Sequence, residues 1–353
     1  MRRKLAYIGI VIAVPVLILE LITRTAFPRF SDDDNYMEMA FERLVNSKVI
    51  FDPNADNYSK RFGFRFSPNT ERTITTKHCM FTARTNSLGF RTKEVQPREE
   101  GEIRVMLLGD SYFWGTGLEA QDVISSQMEL YGNPKLETTK RSLSVYNYAV
   151  AGYNTVQQLI VARTYLGQLK PDHVVLGFFV ANDVVPSALA FIDHDGNYAV
   201  RPEAANQIRT ELRDRCSIFF KSTVFRMLDS RIYLPRMHYK LAARDDVISS
   251  ACEVLKELDS LCREHNARFS VVIIYPRSAV KGGVIESWCK TRQVGQLIHS
   301  FCLKNSIRSL DLLDIIEGDE GMRRYYSPLH GHFSKEGSSL VAKAIFDRLI
   351  QQE

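Results

Sequence analysis

The chain has 353 residues, 45% of them hydrophobic, 25% charged and 10% aromatic, which excludes disordered, collagen-like and disulfide-scaffold proteins and leaves an ordinary globular class with enough apolar residues for a core. Lys and Arg total 46 against 41 Asp and Glu, a net charge of +5, too mild and too dispersed for nucleic-acid binding. The cysteines (Cys79, Cys216, Cys252, Cys262, Cys289 and Cys302) lie far apart; no CxxC pair and no Cys/His cluster at zinc spacing occurs, so no metal or cofactor is expected.

Arg2, Arg3 and Lys4 open the chain, and Leu5 to Leu19 follow without a charge, extended past Glu20 by Leu21 and Ile22. At 1.5 Å per residue a run of about 18 residues nearly crosses a bilayer core of about 30 Å. Basic residues before the run and Asp32, Asp33 and Asp34 after it put the N-terminus in the cytoplasm and the rest outside. No small-x-small cleavage site follows, so residues 1–24 are expected to be an uncleaved, single-pass signal anchor in the cell membrane.

Residues 25–100 are rich in Asp, Asn, Pro and Arg. They read as a stalk plus a small β-extension, with strand-like stretches from Glu71 and Cys79 and a turn ending in Gly89. From Glu102 the pattern changes. IRVMLLGD, LSVYNYAV, HVVLGFFV, RFSVVIIYP and IRSLDLL are continuous apolar runs, each separated by enough chain for a helix. Such runs are strands covered on both faces, so residues 101–353 are expected to form a three-layer α/β/α domain with a five-stranded parallel sheet. Helices are expected near Ala120–Leu130, Thr155–Leu169, Asp246–His265, Ser287–Asn305 and Lys335–Gln351. An insertion at about 186–244 opens with a hairpin signal at Asp195-Gly196 and continues as a basic, amphipathic stretch.

Reactive groups in such sheets lie at the carboxyl ends of the strands. The first run ends in GDSYFWG, placing Ser111 at a strand-to-helix turn, where a hydroxyl is exposed and backbone amides can stabilise an oxyanion. The second ends in NYAVAG, with Gly152 at a turn. The third ends in VAND, bringing Asn182 and Asp183 to the same edge. HGHFSKEG stands before the last helix, with Ser334 as its N-cap and His332 just upstream.

In that order the four blocks resemble the SGNH (GDSL) hydrolase family, and NSLGFRTKE, GYNTVQQL and LGFFVANDV resemble its membrane-anchored bacterial branch; the likeness covers about residues 84–351. It implies a flavodoxin-like SGNH fold with Ser111 as nucleophile and His332 as general base. The oxyanion hole is then the Ser111 N–H, Gly152 and Asn182. Two departures stand out. Val180 replaces the Gly usual two residues before the Asn. Leu329 and His330 stand where an Asp normally precedes the His, which leaves His330, Asp311, Asp314 and Asp319 as candidates for an orienting partner. The implied reaction is hydrolysis, or transfer, of acyl groups on envelope glycans or lipids through an acyl-enzyme, outside the cytoplasm. The competing expectation is a non-catalytic binding or assembly component of envelope polysaccharide processing that retains the fold. No GxxxxGK[ST] loop for phosphoryl transfer is present.

Overall fold

The computed structural model describes residues 15, 17–26, 33–45, 55–76, 79–214 and 222–351. Most of the expected anchor, residues 1–14 and 16, lies outside them, as does Cys216. Residues 17–26 are helical, and among the described residues no helix is long and apolar enough to cross a membrane. The described cysteines are free thiols.

The chain divides into two compact units, Met1–Asn46 with Arg201–His238 and Ser47–Val200 with Tyr239–Glu353. In the first, the Asp33–Val45 helix packs on the Pro202–Asp214 helix, with the Arg209 guanidinium 3.9 Å from the centre of the Phe41 ring. Glu20, the acid that interrupts the apolar run, accepts hydrogen bonds from the Ser222 hydroxyl and the Thr223 N–H, both at 2.6 Å, and from the Val224 N–H at 3.2 Å. Its carboxylate thus caps the helix that begins at Thr223, meeting N–H groups that have no partner within the helix.

The second unit opens with two antiparallel pairs, β1 (Tyr58–Ser59) with β2 (Gly63–Phe64) and β3 (Glu71–Thr75) with β4 (Met80–Arg84). A five-stranded parallel sheet follows, built of β5 (Glu102–Gly109), β6 (Ser142–Asn147), β7 (His173–Phe179), β10 (Arg268–Ile274) and β11 (Arg308–Asp311). Between β7 and β10 the hairpin of β8 (Ala190–Ile192) and β9 (Tyr198–Val200) closes at Asp195-Gly196, where the sequence predicts a turn.

All five expected runs are strands of one sheet. Their spatial order is β6-β5-β7-β10-β11, the 2-1-3-4-5 order of flavodoxin-like sheets. Every residue of β5 is buried because helices cover both faces. Ile124–Leu136 packs on Lys335–Ile345, and Thr155–Leu169 and Thr291–Lys304 both pack on Asp245–Glu264. Such two-sided cover follows from right-handed crossovers between parallel strands. Where one helix was expected over Ser287–Asn305, two are found, Val284–Cys289 and Thr291–Lys304, because Lys290 between them is left-handed, with φ of 55°. The expected first helix starts instead as a 3₁₀ turn, Ala120–Asp122, and becomes α-helical at Ile124.

The order of the strands positions the site. β5 lies between β6 and β7, and the chain runs outward from β5 to β6 on one side and from β7 to β10 on the other, so a crevice opens at the carboxyl ends of β5 and β7. Ser111 follows β5, Gly152 follows β6 and Asn182 follows β7.

Candidate active site

β5 ends at Gly109, and Asp110 caps a one-turn helix, Ser111–Trp114, its Oδ1 accepting from the Tyr112 N–H at 2.9 Å. This turn lifts Ser111 out of the sheet, half-buried and open at the crevice. The histidine comes from the other end of the chain. Ser334 caps the Lys335–Ile345 helix by accepting from the Gly337 N–H at 3.0 Å, Phe333 is buried against Tyr112 and Tyr326, and Tyr326 pairs with Phe333 in an antiparallel bridge. The Tyr112 hydroxyl donates to the Gly331 carbonyl at 3.1 Å, and its ring lies 4.8 Å from that of His332. These contacts carry His332 to Ser111: His332 Nε2 is 2.8 Å from Ser111 Oγ.

Burial, and then the neighbouring His330, lower the pKa of His332 to about 4, against a hydrogen bond with the His330 backbone, so the imidazole is neutral at physiological pH and able to accept the Ser111 proton. Among the described residues its other ring nitrogen faces no carboxylate. Nδ1 of His332 lies 3.3 Å from Nδ1 of His330. Asp311 is buried elsewhere, accepting from the Tyr275 hydroxyl at 2.8 Å and the Leu313 N–H at 2.9 Å. Asp314 is exposed to solvent, and Asp319 pairs with Lys281 and Arg323. The structure therefore brings His330 to His332 and none of these three aspartates.

Gly152 lies on the exposed turn after β6 with φ of 92°, a left-handed geometry that a side chain would strain. Among the described residues its N–H donates to no protein group. Asn182 sits in the first turn of the Val180–Leu189 helix. Its carboxamide donates one N–H to Asp110 Oδ2 at 2.9 Å, which fixes the amide orientation and leaves its second N–H as a further donor. Val180, in place of the usual Gly, is fully buried.

Beneath Asn182 lies a pair of buried acids. Asp183 accepts from the Phe179 N–H at 2.7 Å and the Thr155 hydroxyl at 2.9 Å, tying the start of its helix to β7 and to the Thr155–Leu169 helix. Burial lifts Asp110 to about 6, against hydrogen bonds from Tyr112 and Asn182. Burial, and then the charge of Asp110, raise Asp183 well above the ordinary carboxylate range.

Sequence reasoning missed several residues that shape the site. Asp110 orients Asn182, yet within GDS it is read only as turn composition. Tyr112 holds the histidine loop, a contact across 219 positions that no local pattern shows. Phe64 borders Gly152, where a Cβ would come within 3.5 Å of its ring; its strand has two residues, too few for any periodicity. The arrangement as a whole can activate a hydroxyl by general base and offer N–H donors to a developing oxyanion.

No family model and no curated protein matches the chain. Among solved structures, the lipase Lip_vut3 from a goat rumen metagenome is similar at 12% identity and a TM-score of 0.46, covering 71% of this chain and 99% of that one. TesA is similar at 10% identity and a TM-score of 0.42, covering 70% and 97%. The lipase/acylhydrolase from Enterococcus faecalis is similar at 13% identity and a TM-score of 0.40, covering 70% and 95%.

Proposed function

We propose that the chain is a serine ester hydrolase that removes acyl groups from envelope glycans or lipids. The observation that carries this reading is the 2.8 Å contact between Ser111 Oγ and His332 Nε2 at the sheet's switch point. In the reaction, the Ser111 proton passes to His332 Nε2 as Oγ bonds to the ester carbonyl carbon and the carbonyl electron pair moves onto oxygen. The N–H groups of Ser111 and Gly152 and the free N–H of Asn182 receive that oxyanion. His332 then gives its proton to the departing alcohol, leaving an acyl-enzyme that water opens by the same steps. When an acceptor hydroxyl takes the place of water, the same intermediate gives O-acyl transfer. The substrate class follows from the N-terminal run and its flanking charges, which support an anchored enzyme working outside the cytoplasm.

A fluorophosphonate is expected to label Ser111 and to leave Ser111→Ala unlabelled. On p-nitrophenyl acetate, Ser111→Ala is expected to lower kcat by about 10⁴ or more, and Asn182→Ala by about 10² to 10³ as one of several donors. Turnover by Ser111→Ala equal to that of the parent sinks the reading. The second reading, a non-catalytic binding component, is favoured by the missing carboxylate at His332; an unlabelled parent, inactive on esters, decides for it.

A further inference from the structure

The contact between two histidines at this site carries a chemical consequence. Imidazole nitrogens facing each other at 3.3 Å need one proton between them, with one nitrogen donating and the other accepting. The backbone decides which. The N–H of His332 donates to His330 Nδ1 at 3.3 Å, and an amide N–H is only ever a donor, so His330 Nδ1 presents its single lone pair, which that amide and the facing His332 ring share at equal distance. His330 then carries its proton on Nε2, and the proton in the shared contact belongs to His332 Nδ1. His332 is left with a bare Nε2, the nitrogen that faces Ser111.

We infer that His330 is a positioning residue that fixes His332 in the base-competent tautomer, in the place where an orienting carboxylate would otherwise stand. The inference rests on the esterase reading for its kinetic consequence but not for its tautomers. When Ser111 attacks, its proton goes to Nε2 and His332 becomes an imidazolium whose Nδ1–H points at the His330 lone pair. When the leaving alcohol takes the Nε2 proton, His332 returns to the tautomer it started from, so the pair neither gains nor loses a proton. A neutral acceptor brings no negative charge to the imidazolium. Its contribution is the tautomer and the ring orientation, the two properties whose loss costs about 10⁴ in the serine-protease template.

Two further features hold His330 in place. The loop that bears it is closed by the Ser327 N–H donating to the His332 carbonyl at 2.8 Å and the Gly331 N–H donating to the Ser327 carbonyl at 3.1 Å. The ring also lies against Gly117, three residues past the nucleophile helix, where φ is 82° and a Cβ would come within 2.5 Å of His330 Nε2. The second glycine of Gly115-Thr116-Gly117 therefore makes room for the imidazole.

Long-range ¹⁵N–¹H spectra of the full-length protein labelled at its 8 histidines, assigned with His330→Gln and His332→Gln, read the tautomers directly. The expected result is a protonated Nε2 and bare Nδ1 on His330, with the reverse on His332; a protonated Nδ1 on His330 overturns the proposal. In kinetics on p-nitrophenyl acetate, His330→Ala is expected to lower kcat by about 10² to 10³ with KM within about threefold, and His330→Asp to recover at least tenfold of that loss. Gly117→Ala, which leaves both histidines in the chain, is expected to lower kcat in the same sense by displacing the His330 ring. A His330→Ala enzyme within threefold of the parent, or a His330→Asp enzyme no better than His330→Ala, also overturns it. If His330→Ala does not fold, the spectra of the parent still decide. A parent without Ser111-dependent turnover defeats the esterase reading alone, because the tautomers are measured without substrate.

Discussion

Asp183 and His332 respond to pH in opposite senses. The raised pKa of Asp183 means that the folded chain holds a proton that the unfolded chain releases near the ordinary carboxylate value of about 3.9. Its contribution to stability is therefore full below about pH 4 and is lost as pH rises through the folded value; Asp110 follows the same sign, its contribution lost between the ordinary carboxylate value and about 6. His332 is depressed to about 4, so its contribution is full above about pH 6.5 and is lost as pH falls toward 4. Asp183→Asn isolates the first effect, since an amide oxygen can accept from the Phe179 N–H while its NH₂ donates to the Thr155 hydroxyl. Thermal melts are expected to show this variant more stable than the parent above pH 7, with the gap closing by pH 4. A gap that widens toward acid contradicts the assignment of a protonated Asp183.

At the scale of elements, the β1–β2 hairpin is tied down next to the Gly152 turn. Its carbonyls are held one after another: Arg61 O accepts from the Tyr198 N–H at 3.0 Å, Phe62 O from the Gln157 carboxamide at 2.6 Å and Phe64 O from the Tyr153 hydroxyl at 2.5 Å. Tyr153 also meets the Phe64 ring edge-on, with centroids 5.0 Å apart. Phe64 is thereby fixed beside Gly152, where a Cβ on the glycine would meet its ring at 3.5 Å. Truncating it opens that space, and Phe64→Ala is expected to raise kcat/KM for p-nitrophenyl octanoate relative to the acetate by about tenfold or more, within the range that pocket methylenes command. An unchanged ratio would remove Phe64 from the acyl wall. The outer edge of β6 is sealed by side chains. Leu143 N–H donates to Asn133 at 2.7 Å, Val145 N–H to Glu129 at 2.7 Å and Asn147 N–H to Thr92 at 3.0 Å, so the strand offers no free ladder for another chain.

For the molecule as a whole, the anchored topology proposed from the N-terminal run makes a simple statement about location. A reporter fused after Glu353 is expected to be active only outside the cytoplasm, and the chain to stay with membranes after alkaline extraction. A shortened protein released in soluble form would mean that the run is a cleaved signal peptide. The cap that Glu20 places on the helix beginning at Thr223 gives the charge in that run a structural partner 203 positions away.

The five strands were legible because strands buried on both faces need unbroken apolar runs; the Thr155–Leu169 helix lies where it was expected, and the structure adds the capping box of Asn154 and Gln157 that starts it. Ser111, Gly152, Asn182 and His332 were legible as positions, each at the end of a strand or the start of a helix. Their meeting was not, since the Ser111–His332 contact spans 221 positions and depends on how the last helix docks. The orienting partner shows the limit most clearly: spacing offered His330, Asp311, Asp314 and Asp319 on nearly equal terms. Only tertiary structure separated them, because a hydrogen bond is decided by a few tenths of an ångström, and local sequence constrains the backbone far more tightly than it constrains where distant side chains converge.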